Sequence, residues 1–136
     1  YKTDLKLADA SAMPYDDNYF DAITCSFGVR NFSDLTSGLK DMFRVLKLGG
    51  KLYILEFSIP QNKFIRFLYL PYLKFYIPLL GKFITGSFSA YKYLTRTVQF
   101  FPCGVEFCRI LENAGFTDVK AQPLTFGIVT LYSARR

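Results

Sequence analysis

Residues 22–57 read AITCSFGVRNFSDLTSGLKDMFRVLKLGGKLYILEF, and the succession of patterns inside this stretch decides the fold. Residues 22–27 run apolar with β-branched members, as in a strand covered on both faces. After Asn31-Phe32-Ser33-Asp34, apolar side chains fall at Leu35, Leu39, Met42, Phe43 and Leu46. That spacing draws a single stripe along a helix. Ser33 is placed to cap its N-terminus, Asp34 suits the positive end of its dipole and Lys47 the negative end. Gly49-Gly50 is expected to stop the helix, and residues 51–57 read as a second buried strand. Strand, helix, diglycine, strand is a βαβ unit, which implies an α/β fold with a parallel sheet and helices on both faces.

Working outward, residues 4–8 alternate polar and apolar and predict a short edge strand. Residues 9–18 are turn-rich, with Pro14 and Asp16-Asp17-Asn18. Phe107, Ile110, Leu111 and Ala114 share one side of a helix over 105–114 that Gly115 closes. Two last strands, 117–124 and 127–134, meet at Thr125-Phe126-Gly127, a link too short for a parallel crossover. They must pair antiparallel.

The composition excludes several classes of chemistry. With 51% hydrophobic and only 21% charged residues, the chain can bury a core, so wholesale disorder is excluded. It holds no His, which removes the usual general base, the commonest metal ligand and every His-dependent triad, and no metal site is expected. Cys25, Cys103 and Cys108 form no CxxC pair and cannot all be bridged, so a reducing compartment is favoured. The opening Tyr1-Lys2-Thr3-Asp4 has neither the basic nor the apolar region of a signal peptide, and with no initiator Met the chain reads as part of something longer.

Charge is distributed unevenly. Residues 1–62 carry 7 Lys/Arg against 8 Asp/Glu, whereas residues 63–136 carry 10 against 3. Between Phe57 and Val105 there is no acidic residue, while Lys63, Arg66, Lys74, Lys82, Lys92 and Arg96 are all basic. Either this is a solvated face that keeps an apolar domain soluble, or its partner is an anionic surface, lipid headgroups first and no nucleic acid. Within residues 63–84 the longest uncharged runs are seven residues, broken by Arg66, Lys74, Lys82, Pro71 and Pro78. A spanning helix needs roughly 20 apolar residues, so broken helices covering an apolar pocket or lying on a bilayer are expected.

Ligands in a parallel sheet bind beyond the carboxyl ends of the strands. Asp9, Ser26 and Glu56 each fall at or near such an end, and Arg30 follows in the loop before a helix N-terminus. Each also has a plainer reading: Asp9 as a turn cap, Ser26 bonded to a loop, Glu56 as an exposed strand-end carboxylate, Arg30 paired with Asp34. The functional expectation is that Asp9, Ser26 and Arg30 share one cleft mouth beside an oily cavity.

The stretch Asp9-Ala10, with residues 13–21, resembles the acidic loop and following strand of class I S-adenosylmethionine-dependent methyltransferases. Ser26-Phe27-Gly28-Val29-Arg30-Asn31, and Arg44-Val45-Leu46-Lys47-Leu48-Gly49-Gly50 continuing to Leu55-Glu56-Phe57-Ser58, narrow the resemblance to the ubiquinone/menaquinone biosynthesis C-methyltransferases. So do residues 77–81, 91–94, 101–102, 114–116 and 124–129, so that the resemblance covers essentially the whole chain. Leu48 stands where that family usually has Pro or Val.

The resemblance implies a Rossmann-like class I methyltransferase sheet and one N-terminally incomplete domain over 1–136, with residues 63–100 as a helical aromatic and basic insert over the substrate pocket. It implies S-adenosylmethionine as cofactor, with Asp9 on the adenine amino group, the Ala10 N–H beside the ring and Ser26 near the methionine part. Arg30 and Asn31 would face the quinol, Arg30 stabilising a phenolate as the catalytic residue. The proton acceptor is left open between Glu56, also counted as substrate-binding, and a water held by Asn31. The partners implied are a prenylated quinol, an anionic membrane surface, and a homodimer or quinone-biosynthesis complex. The expected place is the inner face of a bacterial membrane or the matrix side of a mitochondrial one.

The family's first two strands, its glycine-rich cofactor loop and the acidic residue that holds the ribose are not among these residues. The chain therefore looks like the family's C-terminal part, expected to be inactive and to bind the cofactor poorly by itself. The alternative from another class is a non-catalytic membrane-surface or partner-binding module on the same sheet.

Overall fold

The computed structural model describes residues 4–85 and 88–136, the side chains of 82–90 excepted. Four strands form one sheet: β1 (Phe20–Ser26), β2 (Leu46–Phe57), β3 (Thr117–Leu124) and β4 (Val129–Arg135), in the spatial order β1-β2-β4-β3. β1 and β2 are parallel, and β4 is antiparallel to both β2 and β3. The expected βαβ unit and the terminal antiparallel pair are both present.

Helix α1 (Leu35–Val45) crosses from β1 to β2, and α5 (Val105–Asn113) leads into β3. Both pack on the same side of the sheet, where Leu39, Leu52, Ile54, Phe107, Leu111 and Tyr132 form one core. On the opposite side, Ala22, Thr24, Ser26 and Tyr53 are exposed. β1 is thus half covered rather than covered on both faces as its composition suggested, and among the described residues its outer edge has no partner strand.

Several local expectations are corrected. Residues 4–8 form no strand, and Leu5 and Leu7 are 90% and 105% exposed, because no neighbouring strand or core receives their apolar side. The N-cap of α1 is Asp34, not Ser33: Asp34 is extended and its Oδ1 accepts from the Ser37 N–H at 3.1 Å. The helix ends at Val45, four residues before Gly49, because Leu46 turns extended to bury its side chain and pair with Phe20. Lys47 therefore caps nothing and instead meets Asp21 at 2.8 Å. The β1–β2 register slips between Phe20↔Leu46 and Ala22↔Lys51, and Gly49 (φ 75°) takes up the slack in a conformation other residues avoid.

Residues 63–100 form broken helices: α2 (Lys63–Pro71), a π-helical turn (Tyr72–Tyr76), α3 (Ile77–Thr85) and α4 (Phe88–Phe100). None of the described helices is long and apolar enough to cross a membrane. Tyr69, Leu73, Leu94 and Val98 anchor this layer on Phe57 and Ile59 at the carboxyl end of β2 and on Ile128 just before β4.

Candidate active site

The carboxyl ends of β1 and β2 lie side by side, with Ser26 in register with Leu55 and the Phe27 N–H donating to the Leu55 carbonyl at 2.8 Å. The chain then turns sharply. Phe27 has φ 55°, a left-handed conformation uncommon outside glycine, and the helical turn Val29–Asn31 follows, pinned by the buried Val29. This turn aims the Phe27 carbonyl at the side chains that follow. It accepts from Arg30 Nη1 at 2.6 Å and from Asn31 Nδ2 at 3.5 Å.

Arg30 is drawn inward by Glu56. Its Nη1 lies 2.6 Å from Glu56 Oε1, and its backbone N–H donates to Oε2 at 3.3 Å. The Phe57 N–H adds a third donor to Oε1 at 2.9 Å. Glu56 has no exposed surface and the Arg30 side chain only 11%. The guanidinium carbon sits 5.3 Å from the centre of the Phe57 ring, and the Phe27 and Phe57 rings are 4.6 Å apart. Arg30 Nε is buried and has no hydrogen-bond partner among the described residues, an arrangement that costs about 1–3 kcal/mol unless a ligand relieves it. Neither plainer reading describes this pair. Glu56 is enclosed rather than exposed, and Asp34 is occupied as the cap of α1.

Two cavities flank the turn. One, of 420 Å³, is lined by Arg30, Tyr93, Arg96, Thr97, Phe100 and Phe101, combining two guanidinium groups and a phenol with aromatic walls. The other, of 230 Å³, is lined by Asp9, Ala10, Ser11, Asn31, Phe32 and Asp34. Asn31 stands between them, facing the smaller cavity while its Oδ1 accepts from the Tyr93 hydroxyl at 3.1 Å. Asp9 caps its own turn as well as lining the cavity. Its Oδ1 accepts from Ser11 Oγ at 2.6 Å and from the Ser11 N–H at 2.8 Å, and these bonds hold the carboxyl below the usual carboxylate range.

The single mouth expected for Asp9, Ser26 and Arg30 is therefore divided. Asp9, Ala10 and Asn31 share the smaller cavity, Arg30 belongs to the larger, and Ser26 lines neither. Arg30 is held on its side of the turn by the buried carboxylate of Glu56. Tyr93 and Arg96 were not singled out as site residues from the sequence. The signal existed, since Tyr93, Arg96, Thr97 and Phe100 recur at helical spacing in the basic, aromatic segment.

Residues 1–136 match the ubiE/COQ5 methyltransferase family. The demethylmenaquinone methyltransferase of Bacteroides fragilis is 44% identical over 128 residues, covering 94% of this chain and 52% of that protein. The mitochondrial 2-methoxy-6-polyprenyl-1,4-benzoquinol methylase of Bos taurus is 42% identical over 127 residues, covering 93% and 38%. The chain spans about half the length of the first of these and less of the second. Among solved structures, a SAM-dependent methyltransferase from Thermotoga maritima superposes with a TM-score of 0.61 at 17% identity, over 93% of this chain and 60% of that one. The phosphoethanolamine N-methyltransferase 2 of Haemonchus contortus, solved with phosphomonomethylethanolamine and S-adenosylhomocysteine, gives 0.62 at 15% identity, over 96% and 36%. These structural likenesses carry the fold, that of Rossmann-like methyltransferases, and the sequence match carries the family: the chain belongs to the ubiE/COQ5 methyltransferases.

Proposed function

We propose that this chain supplies the substrate side of an S-adenosylmethionine-dependent C-methyltransferase that acts on a prenylated hydroquinone in ubiquinone or menaquinone biosynthesis. The observation that carries the reading is the Arg30–Glu56 pair. It holds a fixed cation on the wall of an aromatic cavity, next to a second cavity built on an acidic turn. The names of the B. fragilis and B. taurus relatives support a quinol ring as the acceptor.

The residues of the smaller cavity fit one end of the methyl donor. Asp9 carries an ionised carboxylate whose Oδ2 accepts no hydrogen bond among the described residues, and an adenine amino group is a donor suited to it. A volume of 230 Å³ is below the roughly 300–1,000 Å³ of a pocket that encloses a whole ligand. Asp9 and the Ala10 backbone would hold only the base, and Ser26, at the end of β1, would face the methionine part. When bound, the donor supplies an electrophilic methyl group.

The rest falls to this chain's own side chains. A hydroquinone ring carbon becomes nucleophilic when the neighbouring hydroxyl ionises, and Arg30 would stabilise that phenolate oxygen with a pre-aimed charge. The unpartnered Nε is a donor in reserve for it. Glu56 acts as a positioning residue. Enclosed and already accepting three hydrogen bonds, it orients Arg30 and is not placed to take the ring proton, which would pass to a water held by Asn31. Asn31, bonded to Tyr93, fixes the wall between donor and acceptor. Phe100 and Phe101 give the ring and the start of its prenyl tail an apolar, water-excluding surface. The helical segment 63–100 thus acts as the cover of the substrate pocket. The reaction would run beside the membrane that holds prenylated quinols, at the cytoplasmic face in a bacterium or the matrix face in a mitochondrion.

The test uses the complete gene product that carries this chain, incubated with methyl-labelled S-adenosylmethionine and demethylated prenyl hydroquinone. Mass spectrometry should find the label on a ring carbon of the quinol. Absence of transfer, or transfer to oxygen only, would overturn the reading.

A further inference from the structure

Along α2, the π turn and α3, exposed apolar side chains recur every fourth residue. Phe64, Leu68, Tyr72, Tyr76 and Leu80 form one row, and Phe67, Phe75 and Leu79 form the row beside it, with Pro71 completing its spacing. Each of the eight large side chains is between 47% and 71% exposed. In an unbroken α-helix four such steps would drift about 160° around the axis. The extra residue taken up in a π turn returns about 100° of that drift, so the two rows stay on one side. The inner side is occupied, since Tyr69 and Leu73 pack on Val98.

The π turn is held in place by its neighbours. Pro78 has no N–H to offer the Leu73 carbonyl, and Thr95 on α4 donates its hydroxyl there instead, at 2.8 Å. A buried threonine on the packed side thus maintains the turn that keeps the outer stripe straight.

The borders of the stripe are cationic. Lys63 and Lys74 are exposed beside it, and no acidic residue occurs between Phe57 and Val105 to neutralise them, whereas Arg66 lies on the packed side with Tyr69 and Leu73, its Nε donating to the Pro60 carbonyl at 2.8 Å. A second copy of this face would bring like charges together. An anionic partner would meet both the charge and the apolar rows. With no described helix able to cross a bilayer, the geometry that remains is a rod lying in the interface.

We infer that α2, the π turn and α3 form a membrane-docking face. The two apolar rows sink to the headgroup–acyl boundary of an anionic bilayer, and Lys63 and Lys74 sit among the lipid phosphates. This inference goes beyond the methyl-transfer reading and does not depend on it, because binding to lipid can be measured without turnover.

The complete gene product should float with phosphatidylcholine vesicles containing phosphatidylglycerol and remain unbound with phosphatidylcholine alone. Raising salt toward about 0.5 M should release it, as the screening length contracts. The double variant Phe64→Ser/Phe67→Ser should lose vesicle binding about tenfold or more, since two large apolar groups no longer insert. Its thermal unfolding should stay unchanged. A Phe67→Trp variant should show a blue-shifted emission maximum on addition of the anionic vesicles. The inference is overturned by binding that ignores the headgroup charge, by a double variant that binds as well as the parent, or by an emission maximum that does not move in the Phe67→Trp protein. A change of oligomeric state in the double variant would overturn it too, assigning the stripe to a protein interface. Lipid binding without methyl transfer would leave this inference standing and sink the enzymatic reading alone.

Discussion

The guanidinium of Arg30 lies 2.6 Å from Glu56, a carboxylate with no exposed surface at the carboxyl end of β2. The pair ties the turn after one parallel strand to the end of the next, so a charge on a loop acquires the rigidity of the sheet. Burying such a pair adds little net stability, but removing one partner leaves an uncompensated charge. Its value lies in position.

Glu56→Ala should destabilise the fold by roughly 3–5 kcal/mol, seen as a lower denaturant midpoint. Arg30→Met combined with Glu56→Leu should recover most of that loss, because no buried charge is left. In turnover, Glu56→Gln should lower kcat with little change in the KM for quinol, as expected of a residue that orients Arg30 rather than touching substrate. A rise in KM alone would contradict that role.

Acid should probe the contact between α1 and the acidic turn. Asp41 joins the two: Arg44 Nε donates to its Oδ1 at 2.7 Å and the Met13 N–H to its Oδ2 at 2.7 Å, and these bonds, that to Arg44 most, hold the carboxyl below its ordinary value. Its contribution to stability is complete above the unfolded pKa, about 3.9, and is lost as pH falls through the lower folded value. Asp41→Asn should therefore weaken the protein at neutral pH by about 1.5–3 kcal/mol, and flatten the loss of stability below about pH 4. Parallel acid titrations of both proteins by circular dichroism provide the check.

Alkali should probe the core. Burial pushes the Tyr132 hydroxyl up to about 12, while it accepts from the Gly104 N–H at 2.7 Å. A raised folded value keeps the stabilisation below the unfolded pKa of about 10 and loses it as pH rises to the folded one. Stability should fall between those limits, and Tyr132→Phe should reduce that slope while leaving the Gly104 N–H without its acceptor. An unchanged alkaline slope would contradict the burial of this hydroxyl.

Gly38 in α1 tests the wall of the smaller cavity. A Cβ there would run into Cδ2 of the Phe32 ring, which lines that cavity. Alanine would gain about 1 kcal/mol of helix propensity, but displacing the ring should cost about 1–3 kcal/mol. Gly38→Ala should lower the melting temperature and weaken binding of S-adenosylmethionine by the complete protein.

The periodic parts of the fold were legible in the sequence. The stripe from Leu35 to Leu46 places α1, that from Phe107 to Ala114 places α5, and the short link at Thr125-Phe126-Gly127 forces the antiparallel pair. The alternation at residues 4–8 misled, because a period of two becomes a strand only beside a partner, and none of the described strands lies there. Site residues were legible by type and strand end, but not by burial. Nothing local distinguishes Glu56 from an exposed carboxylate, since its partner Arg30 lies 26 residues away in sequence. The Tyr93–Asn31 bond spans 62 residues and was invisible for the same reason.

The central claim, that the held guanidinium of Arg30 stabilises a phenolate in the acceptor ring, is tested most directly by Arg30→Ala in the complete protein. Turnover and S-adenosylmethionine affinity should be measured side by side. Loss of one pre-aimed donor to an oxyanion predicts a fall in kcat of about 10²–10³, with donor affinity, set on the Asp9 side, nearly unchanged. Equal loss of both, or turnover that survives the substitution, would contradict the account.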